Sequence, residues 1–395
     1  MVLAAYACCS PMAYAQYEPQ YNVDVSVGGG ISSNPFLYAD GKTAGSANID
    51  IAPSVVVEDE LGQTRIGGNL RFTQYSKYYG NDVSARLEAA TDRKLDERNS
   101  VRVAASVQRL RSAVQDGLIF GSGGTQTPGP LLPPTLPIID TTLAGTRSRI
   151  TSLNTSFGLS HILDEISSVD AGIELNGTYI EDDVGFDYRS AYAHAGYRRK
   201  LSQRTTVTFD TQIGFVDYLG RRTGDSLIVS PRIGVQQQLT DRLSLVADAG
   251  ISYVRTDVAG GDKSNLTSFA GSIGLCDRGP NRSLCLSGGR SAQPTALGGV
   301  STVTTASLNY DARLSRVDRV SLAARYGRTN QDGAGLPIVR VTDFIGASAT
   351  YSRDLNDRLA LTVTPSYSKV FDDAQPRGAN YALMVGLTIR LGKRR

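Results

Sequence analysis

Hydrophobic and polar residues alternate along most of this chain with a period of two. The last run is the clearest. In Tyr381-Ala-Leu383-Met-Val385-Gly-Leu387-Thr-Ile389-Arg-Leu391 every odd position is apolar, and every even one except Met384 is small, polar or charged. Successive side chains of an extended chain point to opposite faces, so each such run has one greasy face and one wet face. Tyr21, Val23, Val25 and Val27 alternate with Asn22, Asp24 and Ser26 in the same way. So do Ile49, Ile51, Val55 and Val57 with Asn48, Asp50 and Ser54, and Val169, Ala171, Ile173, Leu175 and Tyr179 with Asp170, Glu174, Asn176 and Thr178. Leu359, Leu361, Val363 and Tyr367 stand against Thr362, Thr364 and Ser366. Mid-strand charges fall almost wholly on the wet set, as a wall with lipid on one side requires. A soluble sandwich alternates too, but with shorter, less uniform strands.

A second regularity punctuates the first. An apolar or small residue, three residues, Leu, a small polar residue and a further apolar residue recur as Tyr197…Leu201…Val207, Val235…Leu239…Leu245 and Tyr351…Leu355…Leu361. Looser copies centre on Leu95, Leu163 and Leu314, with a shorter turn at Leu61. Each lies between two alternating runs and predicts a short turn at one rim. Leu163, Leu201 and Leu239 are evenly spaced, whereas Leu239 to Leu314 is nearly twice the interval. A turn is therefore expected near position 277. With it, eight short turns join nine hairpins into eighteen strands; without it the count is sixteen. The fold expected is all-β, an antiparallel up-and-down transmembrane β-barrel.

The missing turn falls where two cysteines lie. Cys276 and Cys285 flank Asp277-Arg-Gly-Pro-Asn-Arg-Ser-Leu284, and in this register both sulfurs point to the wet side, suiting a disulfide across a hairpin. The alternatives are one long outer loop from about 258 to 299 stapled by the same bond, or a metal or redox pair, for which neither a nearby His nor zinc-site spacing is present. The stretch 111–147 is rich in Pro and Gly and cannot be ladder. It is expected as a long outer loop, either folded into the bore as a constriction or waving in solvent.

Composition narrows the class only slightly. The chain has 395 residues, 41 Gly, 19 Tyr, no Trp and a net charge of +3, and no apolar run is long enough for a spanning helix. The weak charge speaks against a nucleic-acid partner. No linker divides the chain, so residues 16–395 are expected to form one domain. Residues 1–15 read as a secretory signal truncated at its start: an apolar run, Val2 to Cys9, then Ala13-Tyr14-Ala15 before Gln16. A disordered apolar tail is the other reading.

No enzymatic constellation is present. The two histidines, His161 and His194, are far apart in sequence, and Gly28–Gly30 and Gly121–Gly124 lack phosphate-loop spacing. No catalytic, metal-binding or cofactor-binding residues are expected. What remains is a bore. Asp24, Asp50, Arg65, Arg71, Arg86, Glu88, Arg102, Asp170, Glu174, Asp210, Asp248, Arg325 and Arg390 occupy wet-face positions and are candidate lumen-lining residues. Mixed charge in a wet pore sorts solutes by charge and size, though most such residues pair with one another.

The opening strand from Tyr21 to Ile31 running into Ser33-Asn34-Pro35-Phe36-Leu37, the repeated Leu-polar-x-Arg turns, and the Cys276…Cys285 segment followed by Arg290 and Pro294 resemble the β-barrel porins encoded with exopolysaccharide and capsule export systems. That resemblance implies a Gram-negative outer-membrane barrel of eighteen strands, embedded by the insertion machinery among outer-membrane lipid. It implies an outer portal for polysaccharide, with periplasmic export proteins as partners. A general diffusion porin for small solutes and a filled, adhesin-like barrel are the alternatives. The final strand departs from the pattern of such barrels, which end in an aromatic residue; here Leu391 is followed by Gly-Lys-Arg-Arg395.

Overall fold

The structure, a computed structural model, describes residues 19–111, 148–181, 185–220, 224–257, 263–296, 298–331, 341–372 and 376–392. The expected signal, residues 1–15, and residues 112–147 of the expected long loop lie outside them. Eighteen strands run through the described residues: β1 (Gln20–Ser32), β2 (Ala44–Asp59), β3 (Gly62–Tyr75), β4 (Asn81–Lys94), β5 (Asn99–Leu110), β6 (Ile150–Ile162), β7 (Ser167–Ile180), β8 (Tyr188–Ser202), β9 (Thr205–Tyr218), β10 (Ser226–Gln238), β11 (Leu243–Asp257), β12 (Lys263–Arg278), β13 (Arg282–Pro294), β14 (Val300–Arg313), β15 (Asp318–Asn330), β16 (Val341–Asn356), β17 (Leu359–Asp372) and β18 (Asn380–Gly392).

Every strand pairs antiparallel with the next. The sheet closes where β18 returns to β1, from Asn22↔Gly392 to Ser32↔Ala382. Closure removes the two free edges of an open sheet. The ladder is interrupted at the long-loop ends of β12 and β13, whose pairing runs only from Gly271↔Arg290 to Arg278↔Ser283. The sixteen-strand count is overturned by β12 and β13. They pair through Arg278↔Ser283 around the turn expected near 277, so the region 258–299 is no single loop. The chain is a closed eighteen-stranded barrel of the transmembrane type, the fold of outer-membrane barrels.

The register carries the alternation around the whole wall. Val385 lies opposite Val363 and Gly29, and Thr388 opposite Ala360 and Ser26. The apolar set points away from the bore and is bare: Leu87 is 61% exposed, Phe269 59% and Val385 44%. Such surface is stable only against hydrocarbon.

The Leu turns have a physical basis. Except at the shorter Leu61 turn, where Asp59 before the Leu accepts from Leu61 N and Gly62 N, the polar residue after the Leu accepts the amides that the tight turn leaves open. Asp96 accepts from Arg98 N and Asn99 N, both at 2.7 Å, Asp164 from Ile166 N at 2.8 Å, and Asn356 from Arg358 N and Leu359 N, both at 2.9 Å. Thr240 and Ser315 do the same with their hydroxyls. These bonds favour the ionised acid. The Asn99 side-chain amide and then the Arg98 and Asn99 backbone hold Asp96 below the ordinary carboxylate range, and the Ile166 amide does so for Asp164. The Leu itself is bare at the rim of the apolar belt, as at Leu95, Leu201 and Leu314.

The turn at 278–282 has no such cap. Gly279 N donates to Arg282 O at 2.7 Å, and two rungs above it Cys276 and Cys285 face each other and form a disulfide. The bond closes a loop of sequence separation 9, which by loop entropy is worth about 2.5 kcal/mol. Replacing both cysteines by serine is expected to leave the barrel assembled but to lower its unfolding temperature by a few degrees. A heat-modifiable gel shift run with and without thiol reads this, and equal midpoints for the two proteins would refute it.

Candidate functional site

The register places all thirteen candidate lumen residues on one face of the sheet, opposite the bare apolar set, and many of them have an oppositely charged or polar neighbour there. Asp24 pairs with Arg390 across the β1–β18 seam, and Arg390 Nη1 reaches Asp354 Oδ1 at 2.7 Å. Asp50 is bound by Arg71 Nε and by Asn48 Nδ2. Arg86 meets Glu88 at 2.9 Å, and Arg102 meets Asp92 at 2.5 Å. Arg65 lies opposite Val56 and Ala90 one step lower.

Across the bore Asp170 meets Arg198 at 3.1 Å, and Asp248 holds Arg232 at 3.4 Å and the Ser272 hydroxyl. Glu174 accepts from Asn154 and Asn176. Asp210 stands opposite Arg232 and Gly196. Arg325, opposite Ser307 and Gly346, is buried in the wall. Asp92, Arg198, Arg232 and Asp354 share the inward parity, and sequence reasoning omitted them although the same alternation marks them. The lining is thus a wet wall of paired charges. The exposed pairs, Arg86–Glu88 and Arg102–Asp92, are each worth at most about 1 kcal/mol to stability. Among the described residues no group of three or more His, Cys, Asp or Glu could hold a metal ion.

The mouth at the long-loop end is different. The ends of β13 and β14 and the described residues of the tip between them, Thr295, Ala296, Gly298 and Gly299, leave the wall and pack inward. Ala296 and Ser301 are wholly buried, and Val300 is 1% exposed. The tip meets the tops of strands far round the barrel. The Tyr218 hydroxyl at the end of β9 accepts from Thr295 N at 3.1 Å and faces the carbonyls of Thr295 at 2.9 Å and Gly299 at 2.5 Å. Val300 packs with Val216, Tyr218, Ile228 and Val254 of β9, β10 and β11. Ala296 packs on Ile150 and Ile180 of β6 and β7, and its carbonyl accepts from Phe186 N at 2.7 Å. β6 is seven strands from β13, so the tip lies across one side of the opening. Gly298 and Gly299, with φ of 94° and 77°, make the reversal that other residues resist.

The opposite side of the mouth holds a second cluster. Phe36, Ala44 and Tyr79 are buried, with Tyr38 and Tyr75 packed against them. Asn34 ties that loop to the β17–β18 connection. Its backbone N–H donates to Asn380 Oδ1 at 2.9 Å, and its Nδ2 donates to Tyr38 O and Gly378 O.

No protein-family model matches the chain, and no curated protein matches it. Solved structures do superpose on it. A BenF-like porin from Pseudomonas fluorescens Pf-5 has a TM-score of 0.48 at 11% identity, covering 95% of this chain and 99% of that one. OccK2 (OpdF) of Pseudomonas aeruginosa has 0.47 at 10%, covering 95% and 98%. The FrpB iron transporter of Neisseria meningitidis (F3-3 variant) has 0.44 at 9%; 90% of this chain matches, spanning 63% of that transporter. At this level of similarity the fold assignment stands on the register of the eighteen strands themselves.

Proposed function

We propose that the protein is a Gram-negative outer-membrane channel through which small hydrophilic solutes diffuse. The observation that carries this reading is a polar, charge-paired inner face on a closed eighteen-stranded wall, narrowed at one mouth by the inward tip of β13 and β14. A barrel of this size encloses an aqueous channel when its bore is not plugged. Paired fixed charges keep that channel wet without strongly favouring one sign of solute.

The polysaccharide-export role implied by the sequence resemblance is disfavoured by the tip, which covers one side of the mouth and would have to move aside to leave the whole opening to a polymer. Liposome swelling tests both. Mono- and disaccharides are expected to enter vesicles containing the protein, and long oligosaccharides to be excluded. No swelling with any sugar would overturn the channel. Entry of long oligosaccharides through the unmodified protein would overturn the size limit and favour the export portal.

A further inference from the structure

The lipid-facing wall has one feature that permeation does not use. On β12 to β16 a groove of about 560 Å³ opens on the outside of the barrel. Its floor is made by Gly288, Ala306 and Ala324, and its sides by Leu286, Leu308 and Tyr326. These are outward positions, and their short side chains leave a trough of acyl-chain character where neighbouring strands carry bulky residues.

Directly above the floor, toward the long-loop rim, runs the rung Arg290↔Thr304↔Arg328↔Asp343. These residues point outward too, against the general segregation of charge to the bore. Arg290 is exposed and makes no ion pair among the described residues. Arg328 Nε lies 3.8 Å from Asp343 Oδ1, which also accepts from the Tyr326 hydroxyl at 2.9 Å. The one acid in the rung is therefore already engaged, and the rung is net positive. Arg290 and Arg328 sit two strands apart, about 10 Å between backbones. Both guanidinium groups can converge over Thr304 on a single phosphate, the geometry arginine favours.

We propose that this groove and rung bind a phosphorylated glycolipid of the outer leaflet, one acyl chain lying over Gly288, Ala306 and Ala324 and a headgroup phosphate between Arg290 and Arg328. The proposal rests on the outer-membrane reading, since the long loops of such barrels face the cell exterior and the rung lies at that end. A trough alone would accept any chain; the paired arginines at its upper end select an anionic headgroup at interfacial depth.

Native mass spectrometry of the full chain in mild detergent tests this, with bisphosphorylated lipid A as the probe. The same glycolipid after phosphatase treatment and phosphatidylglycerol serve as comparators. Lipid A is expected to bind at least tenfold more tightly than either. Arg290→Glu and, separately, Ala306→Phe are expected to weaken lipid A binding tenfold, while heat-modifiable migration and liposome swelling match the wild type. Equal binding of the dephosphorylated lipid or of phosphatidylglycerol would overturn the proposal, as would unchanged binding by Arg290→Glu. A dimer that buries the groove and carries no lipid would overturn it in favour of a second copy as occupant. Swelling in the same preparations reports separately on the channel, so failure of one reading does not mimic failure of the other.

Discussion

Tyr218→Ala is expected to widen the channel, raising single-channel conductance severalfold and admitting oligosaccharides that the wild type excludes. The ring is 1% exposed and sits at the centre of the cluster that grips the β13–β14 tip. Removing a buried aromatic ring of this size costs about 3–5 kcal/mol. Here that loss falls on the docking of a short tip rather than on the wall, because Tyr218 is the last residue of β9 and points into the mouth. The hydrogen bond from Phe186 N to Ala296 O, worth about 1 kcal/mol, survives, as do the apolar contacts of Ala296 with Ile150 and of Val300 with Val216, Ile228 and Val254. With the central ring and its hydroxyl gone, these smaller contacts hold the tip less firmly against its conformational freedom.

Tyr218→Phe separates packing from hydrogen bonding. It keeps the ring but leaves the buried Thr295 amide and the carbonyls of Thr295 and Gly299 without the hydroxyl, at a cost of about 1–3 kcal/mol. An intermediate conductance is expected. Planar-bilayer recording of the three proteins decides the matter. Equal conductance for wild type and Tyr218→Ala would show that the tip does not limit flow.

The wall was legible in the sequence because strand geometry is local. A period of two assigns each residue to a face, and capped turns announce themselves through the Leu and the hydrogen-bonding residue after it, as at Leu95-Asp96 and Leu239-Thr240. Even the uncapped turn at 278–282 was marked by the gap in spacing and by the cysteines that clasp it.

The constriction was not legible. Its contacts join Tyr218 to Thr295, 77 residues apart, and no local pattern encodes them. The end of β14 from Val300 to Val303 is buried at every position, and that of β13 from Ser291 to Pro294 is at least half-buried, so neither shows a greasy and a wet side. The available signal was chemical: a Thr-Ala-Leu-Gly-Gly tip of mostly small residues, beside a strand ending in a lone Tyr. Alternation also fails at Arg290, Arg328, Asp343 and Lys369, which face outward near the long-loop ends of their strands. Those exceptions mark where hydrocarbon gives way to headgroups.

The strongest test of the lipid-clad wall is a matched pair on one strand. Val385→Arg is expected to abolish accumulation of assembled barrel in the outer membrane, whereas Thr388→Arg is expected to assemble at close to the wild-type level. The two sites are three residues apart on β18 and differ in face. Val385 is flanked by Val363 and Gly29 on the outer surface, midway along the apolar run from Tyr381 to Leu391. Arginine there meets hydrocarbon at a cost of about 2–4 kcal/mol near the midplane, and has no interface within reach of its side chain. Thr388 faces the bore, where its hydroxyl contacts Ser26 Oγ at 2.8 Å, and the next inward rung already carries Arg390 with Asp24 and Asp354. An added guanidinium there is hydrated and has acids nearby. Quantifying heat-modifiable protein in outer-membrane fractions compares the two. Equal levels would mean that the odd residues of β18 do not face lipid, and the barrel's inside and outside would have to be exchanged.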